Sequence, residues 1–91
     1  MAIYLAAFDL RDIRRNYQPL FEALAQMGAV PALDAAWLIN VRASTRHVTK
    51  VLLSRISSRD RLFLLEVAPA SHWSATRLKG DAAQWLKRRR P

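Results

Sequence analysis

The sequence predicts an α+β domain: a four-stranded antiparallel sheet with two helices on one face, followed by a C-terminal extension. Three observations lead there. Short apolar runs rich in β-branched and aromatic residues alternate with two stretches of helical periodicity, in the order β-α-β-β-α-β. The run Ile3-Tyr4-Leu5-Ala6-Ala7-Phe8-Asp9 is apolar at consecutive positions, as expected of a central strand covered on both faces. Pro31 lies inside a weak strand, where its missing N–H suits only a sheet edge. With right-handed crossovers, this order gives a ferredoxin-like sandwich with the second strand outermost.

Each element has its own signal. After the first strand comes a polar, arginine-rich connection, Leu10 to Arg15. A helix follows from about Tyr17 to Met27, with Asn16 or Gln18 as N-cap and Pro19 in the first turn, where a missing N–H costs nothing. Leu20, Phe21, Leu24 and Met27 form its expected buried stripe, and Gly28 ends it. Ala29 to Leu33 is the edge strand, Asp34-Ala35 the turn, and Ala36 to Val41 an interior strand. Ser44 or Thr45 caps a second helix running to about Ile56, with Val48, Val51, Leu52 and Ile56 inward and Arg46, Lys50 and Arg55 outward. Arg61 to Val67 is the fourth strand, closed by Pro69.

Residues 1–68 read as the core and 69–91 as an extension with a basic tail. Within the extension, Asp81 to Lys87 suits a short helix capped by Asp81. The first, third and fourth strands carry apolar residues on both faces, so the face without helices needs a cover. A second copy of the chain or the tryptophan-bearing extension would serve.

Composition narrows the function classes. There are 91 residues, 52% of them hydrophobic, enough for one core. A domain this small still buries only about 60–65% of its unfolded surface, which favours self-association. With no cysteine there is no disulfide framework, thiolate nucleophile or zinc–thiolate site, which fits a reducing cytoplasm. No apolar run approaches the ~20 residues of a membrane helix, and the start of the chain does not read as a secretory signal. Gly28 and Gly80 are the only glycines, so no glycine-rich phosphate loop exists. The net charge of +8 and the pI of about 11.4 favour polyanions, nucleic acid before anionic membrane; a merely solubilising surface is the plainer reading.

The sharpest candidate for chemistry is Asp9, an acid at the end of a central strand. In a dimer whose two-fold axis lies near that end, two such carboxylates would hold a hard divalent cation, Mg²⁺ or Mn²⁺, able to activate water for phosphodiester hydrolysis. The plainer reading is that Asp9 caps its loop or pairs with Arg14 or Arg15. Asp12 reads as a solvated ion pair with its flanking arginines, Asp34, Asp60 and Asp81 as turn or cap residues, and His47 and His72 as surface histidines. Glu66 either faces a partner or points to water at an edge. Three basic groups stand out: Arg11, Arg14 and Arg15 beside Asp9; Arg42, Arg46 and Lys50 around the start of the second helix; and Arg77, Lys79 and Lys87 to Arg90 in the tail. The first two are candidate phosphate contacts, because arginine engages phosphate oxygens in a bidentate fork. Tyr4, Trp37 and Phe63 read as core or interface rather than base-stacking platforms.

The strand ending in Phe8-Asp9-Leu10, the Arg14-Arg15 pair, the helix ending in Gly28 and the Leu33-Asp34-Ala35-Ala36-Trp37-Leu38 hairpin resemble the small subunit of the CRISPR adaptation complex. More closely, with Asn16-Tyr17, Leu20, Glu22-Ala23 and Asp60-Arg61-Leu62, they resemble its stand-alone CRISPR-associated-two-like (SinR-like) relatives, and more distantly the virulence-associated D toxins. The resemblance covers residues 3–67. It implies a ferredoxin-like homodimer of antiviral defence, with a metal-dependent endonuclease site at the acid matching Asp9 in some members and a DNA-bridging role in others. Ala35 stands where the family often has a small hydroxyl residue, and the tail has no counterpart. Other readings are a non-catalytic DNA-binding or protein-docking module of a defence or mobile-element system, and a toxin ribonuclease.

Overall fold

The computed structural model describes residues 1–90; Pro91, the last residue of the expected extension, lies outside the described residues. The elements are β1 (Ala2–Asp9), α1 (Gln18–Gln26), β2 (Val30–Leu33), β3 (Ala36–Val41), α2 (Thr45–Leu53), β4 (Arg61–Val67) and α3 (Ala82–Arg89). The sheet order is β2-β3-β1-β4, and all pairs are antiparallel. The chain is thus an α+β, ferredoxin-like sandwich with a third helix.

β1 lies between β3 and β4, and its alternation divides the core in two. Tyr4, Ala6 and Phe8 face α1 and α2, where they pack with Leu20, Leu24, Ile39, Val48, Leu52 and Ile56. Tyr4 is buried to 1% exposure, and its hydroxyl donates to the Ala43 carbonyl at 2.6 Å, which satisfies the one polar atom it carries inward. Ile3 points the other way and packs with Ala32, Leu38, Ala82, Trp85 and Leu86. The extension therefore covers much of the helix-free face. Two bonds pin it to the sheet, Lys79 N–H to the Ala32 carbonyl (2.9 Å) and Arg90 Nε–H to the Val67 carbonyl (3.3 Å), and a third, Trp73 Nε1–H to the Arg90 carbonyl (2.8 Å), ties the extension to itself.

Several expectations shift for local reasons. The N-cap position of α1 belongs to Tyr17 and carries no side-chain cap; Asn16 Oδ1 instead accepts from the Gln18 amide just before the helix. The buried stripe of α1 is Leu20, Ala23 and Leu24, while Phe21 is exposed and tilts against Trp37. Gly28 has φ +67°, a left-handed turn that a side chain would strain. α2 begins as expected, with Ser44 Oγ accepting from the His47 amide, but stops at Leu53 instead of near Ile56. There Ser54 Oγ donates back to the Val51 carbonyl, a local bond that competes with continued helix. α3 begins as expected, with Asp81 at the N-cap though without a side-chain bond, and ends later, at Arg89.

Candidate nucleic-acid interface

The C-terminal end of β1 lies where β4 begins, with Asp9 opposite Arg61 in register. The backbone then turns through Leu10 to Asn16 before α1. This turn is braced from the α2–β4 connection by Asp60. The Arg11 amide donates to Asp60 Oδ1 at 2.7 Å, the Ser57 amide to Oδ2 at 2.7 Å, and the Tyr17 hydroxyl lies 2.8 and 2.7 Å from the two oxygens. The Asp12 amide donates in turn to the Tyr17 oxygen at 3.3 Å. Within the turn, Asp12 accepts from the Arg14 amide through Oδ1 and from the Arg15 amide through its carbonyl. Asp12 is thus a turn-maker by backbone contacts, rather than the ion pair expected of it.

These contacts set the electrostatics of the knot. Partial burial alone would raise the Asp60 pKa, but the donors from Arg11, Tyr17, Ser57 and Asp12 outweigh it and hold the carboxyl below its ordinary value. Tyr17 is pushed up, by desolvation first and by its hydrogen bond to the Asp60 carboxylate second.

The braced turn presents cations. Arg11, Arg14 and Arg15 are all exposed, as are Arg59 in the α2–β4 connection and Arg61 at the start of β4. Ile13, between these arginines, is 99% exposed. Asp9 itself is 53% exposed and pairs with Arg11 (3.6 Å) and Arg61 (3.8 Å), not with Arg14 or Arg15. Such surface pairs contribute about 0–1 kcal/mol each, so the arginines keep most of their capacity for another anion.

Arg42 and Arg46 lie elsewhere. They follow the end of β3 that pairs with Ala2, at the opposite end of the sheet from Asp9, and Lys50 continues their exposed face along α2. The first two basic groups thus form two separate surfaces. The tail forms a third, partly occupied: Arg89 lies over the Trp85 ring at 4.1 Å, and Arg90 is engaged with Val67.

Asp9 within one chain does not fit a hard divalent cation. It offers one carboxylate between two guanidinium groups, and no group of three His, Asp or Glu side chains suited to a metal occurs among the described residues. Glu66, His47 and His72 are exposed.

Asp60 and Arg61 were not among the sequence candidates. Asp60 reads as an ordinary turn residue because its bond to Ser57 is local; its bonds to Arg11 and Tyr17 span the chain and leave no sequence signature. No protein-family model and no solved structure matches this chain.

Proposed function

We propose that this protein is a homodimeric nucleic-acid-binding protein that grips the phosphate backbone with the arginines around Asp9. The observation that carries the reading is the braced turn. Arg11, Arg14 and Arg15 project from a backbone fixed by the Asp60–Tyr17 knot, with Arg59 and Arg61 alongside, so the forks are gathered before any ligand arrives. Preorganisation lowers the ordering cost of binding, and clustered guanidinium groups favour phosphate oxygens. Arg42, Arg46 and Lys50 form a second basic surface on the same molecule, which suits bridging of two strands or two segments of one polyanion.

A second reading keeps metal-dependent endonuclease activity at Asp9. The acid's place at the exposed end of the central strand favours it, and a second carboxylate from another copy would be required for Mg²⁺ or Mn²⁺. Labelled single- and double-stranded RNA and DNA, with either metal or with chelator, separate the two. Binding without cleavage, weakened with a shallower salt dependence in Arg14→Ala/Arg15→Ala, is the expected result. Cleavage lost in both chelator and Asp9→Ala would replace it with the nuclease reading. Salt-insensitive or absent binding would overturn both and direct the search to a protein partner.

A further inference from the structure

On the helix-free face the side chains of β1 change character along the strand. Ile3 lies under the extension, in a cluster with Ala82, Trp85 and Leu86, and Leu5 packs at its margin. Ala7 and Asp9 follow on the same face, because side chains alternate along a strand. β4 matches them in register, with Phe63 opposite Ala7 and Arg61 opposite Asp9. These four residues border a shallow recess of about 250 Å³ whose walls come from β1 and β4, with no residue of the extension among them. Ala7 keeps the recess open, since its methyl group leaves space that a side chain the size of Leu5 would fill.

The recess gathers three kinds of chemistry. Phe63, which the strand pattern assigns to core or interface, is 63% exposed. Arg11 and Arg61 are exposed, and both pair with the same oxygen of Asp9, Oδ2, at 3.6 and 3.8 Å. Asp9 Oδ1 is in neither pair, so it keeps its capacity to accept from a donor. An aromatic face, a carboxylate oxygen and guanidinium forks complement the three parts of a nucleotide: the face of the base, an amino group on its edge, and the phosphate. Their spacing suits one nucleotide. Phe63 is diagonal to Asp9 across the strand pair, at about 7–8 Å, a separation that one planar base spans.

We infer that this recess seats one unpaired base carrying an exocyclic amino group: the base stacks on Phe63, its amino group donates to Asp9 Oδ1, and Arg11 and Arg61 hold the adjoining phosphate. This rests on the nucleic-acid part of the reading above, not on its homodimeric part, and narrows the substrate to a single strand. In a duplex the faces of the bases lie against their neighbours and their amino groups are paired, so Phe63 and Asp9 have nothing to hold. Sheet faces with exposed aromatics receive unpaired bases in this way. Charge selects this occupant over an apolar one. Two guanidinium groups and a carboxylate border the ring, and an apolar partner would strip them of water without replacing it. Asp9 also gains a role without a metal. An acid among phosphate-binding arginines repels the backbone, and the bond to a base offsets that cost. Cytosine presents its N4 amino group as a donor, whereas uracil has a carbonyl oxygen at that place, and an acceptor facing a carboxylate is repelled.

Fluorescence anisotropy with labelled homopolymers of roughly 12 nucleotides tests this on the full chain at neutral pH, using cytosine and uracil strands as RNA and as DNA, beside a duplex of the same length. Single strands should bind more tightly than the duplex, and cytosine about 2- to 10-fold more tightly than uracil. Asp9→Asn should bring the two homopolymers to equal affinity. Removing one negative charge tightens every polyanion alike, so the ratio between them is the readout. Phe63→Ala and Phe63→Leu should each weaken single strands about 5- to 100-fold, with the salt dependence and the duplex affinity unchanged, and Phe63→Trp should restore binding. Phe63 is exposed, so its variants should keep the circular dichroism of the wild type. A cytosine preference that persists in Asp9→Asn, or single-strand binding unmoved by Phe63→Ala while Arg14→Ala/Arg15→Ala still weakens it, overturns the base seat and leaves the phosphate grip standing. Absence of salt-sensitive binding to every probe overturns both.

Discussion

Replacing Asp60 by alanine tests whether the arginine turn is built or merely present. Three donors lose their acceptor: the Arg11 amide, the Ser57 amide and the Tyr17 hydroxyl. A hydrogen bond to a charged group contributes about 1.5–3 kcal/mol when well buried. Asp60 is only half-buried, and water can reach the freed donors, so the loss is about 2–4 kcal/mol rather than the full sum. For a domain of this size, each kcal/mol shifts Tm by about 4–8 °C. Urea denaturation followed by circular dichroism at neutral pH should show the midpoint falling at constant slope, and Asp60→Asn should fall between the two. The sign of the pH dependence follows from the depressed pKa. The native state binds the Asp60 proton more weakly than the unfolded chain, so the stabilisation is complete above the ordinary carboxylate value of 3.8 and is lost as pH falls through the lower folded value. The wild type should therefore lose more stability in acid than Asp60→Ala. A change under about 0.5 kcal/mol at neutral pH, with identical acid limbs, would refute the account of the turn.

Two further outcomes concern other parts of the molecule. Tyr17 has a raised pKa, so its contribution is present below the ordinary value of 10.0 and is lost as pH rises through the folded value; alkaline titration of stability should show a step that is missing in Tyr17→Phe. Trp85, 8% exposed under the Arg89 guanidinium, anchors α3, and Trp85→Ala should cost about 3–5 kcal/mol in a denaturant titration; a loss below about 1 kcal/mol would mean that the extension does not stabilise the sheet.

Where the sequence carried the fold, it did so through residues whose backbone demands are local. Pro31 placed β2 at an edge, Gly28 closed α1 in a left-handed turn, and consecutive apolar residues from Ile3 to Phe8 marked a strand covered on both sides. Helix ends were less legible because near-equal alternatives compete there, as Ser54 does by bonding to Val51. Phe21 satisfied the helical period of a buried residue yet lies at the rim, since the stripe is centred on Leu20, Ala23 and Leu24. The candidate site divides the same way. Asp9 and the arginines after it are neighbours in sequence, and of these Asp9 pairs with Arg11 while Arg14 and Arg15 stand apart from it. Asp60 reaches them only through chain reversal, and Arg42 and Arg46 are separated from them by the length of the sheet.

The central place of β1 also sets an order of events during synthesis. The strand made first has no partner among its near neighbours: Ala2 pairs with Val41, and Ile3 with Val67. Contacts of such separation form slowly, because the intervening chain must be drawn into place before they are rewarded. On a ribosome, the apolar run from Ile3 to Phe8 emerges before the domain's other strands, and its enclosure is complete only after β4 has left the exit tunnel and α3 has closed over Ile3. The interval in which that strand stands open grows with the time taken to translate the rest of the domain, which ties the yield of folded protein to elongation rate and to whatever shields a nascent strand.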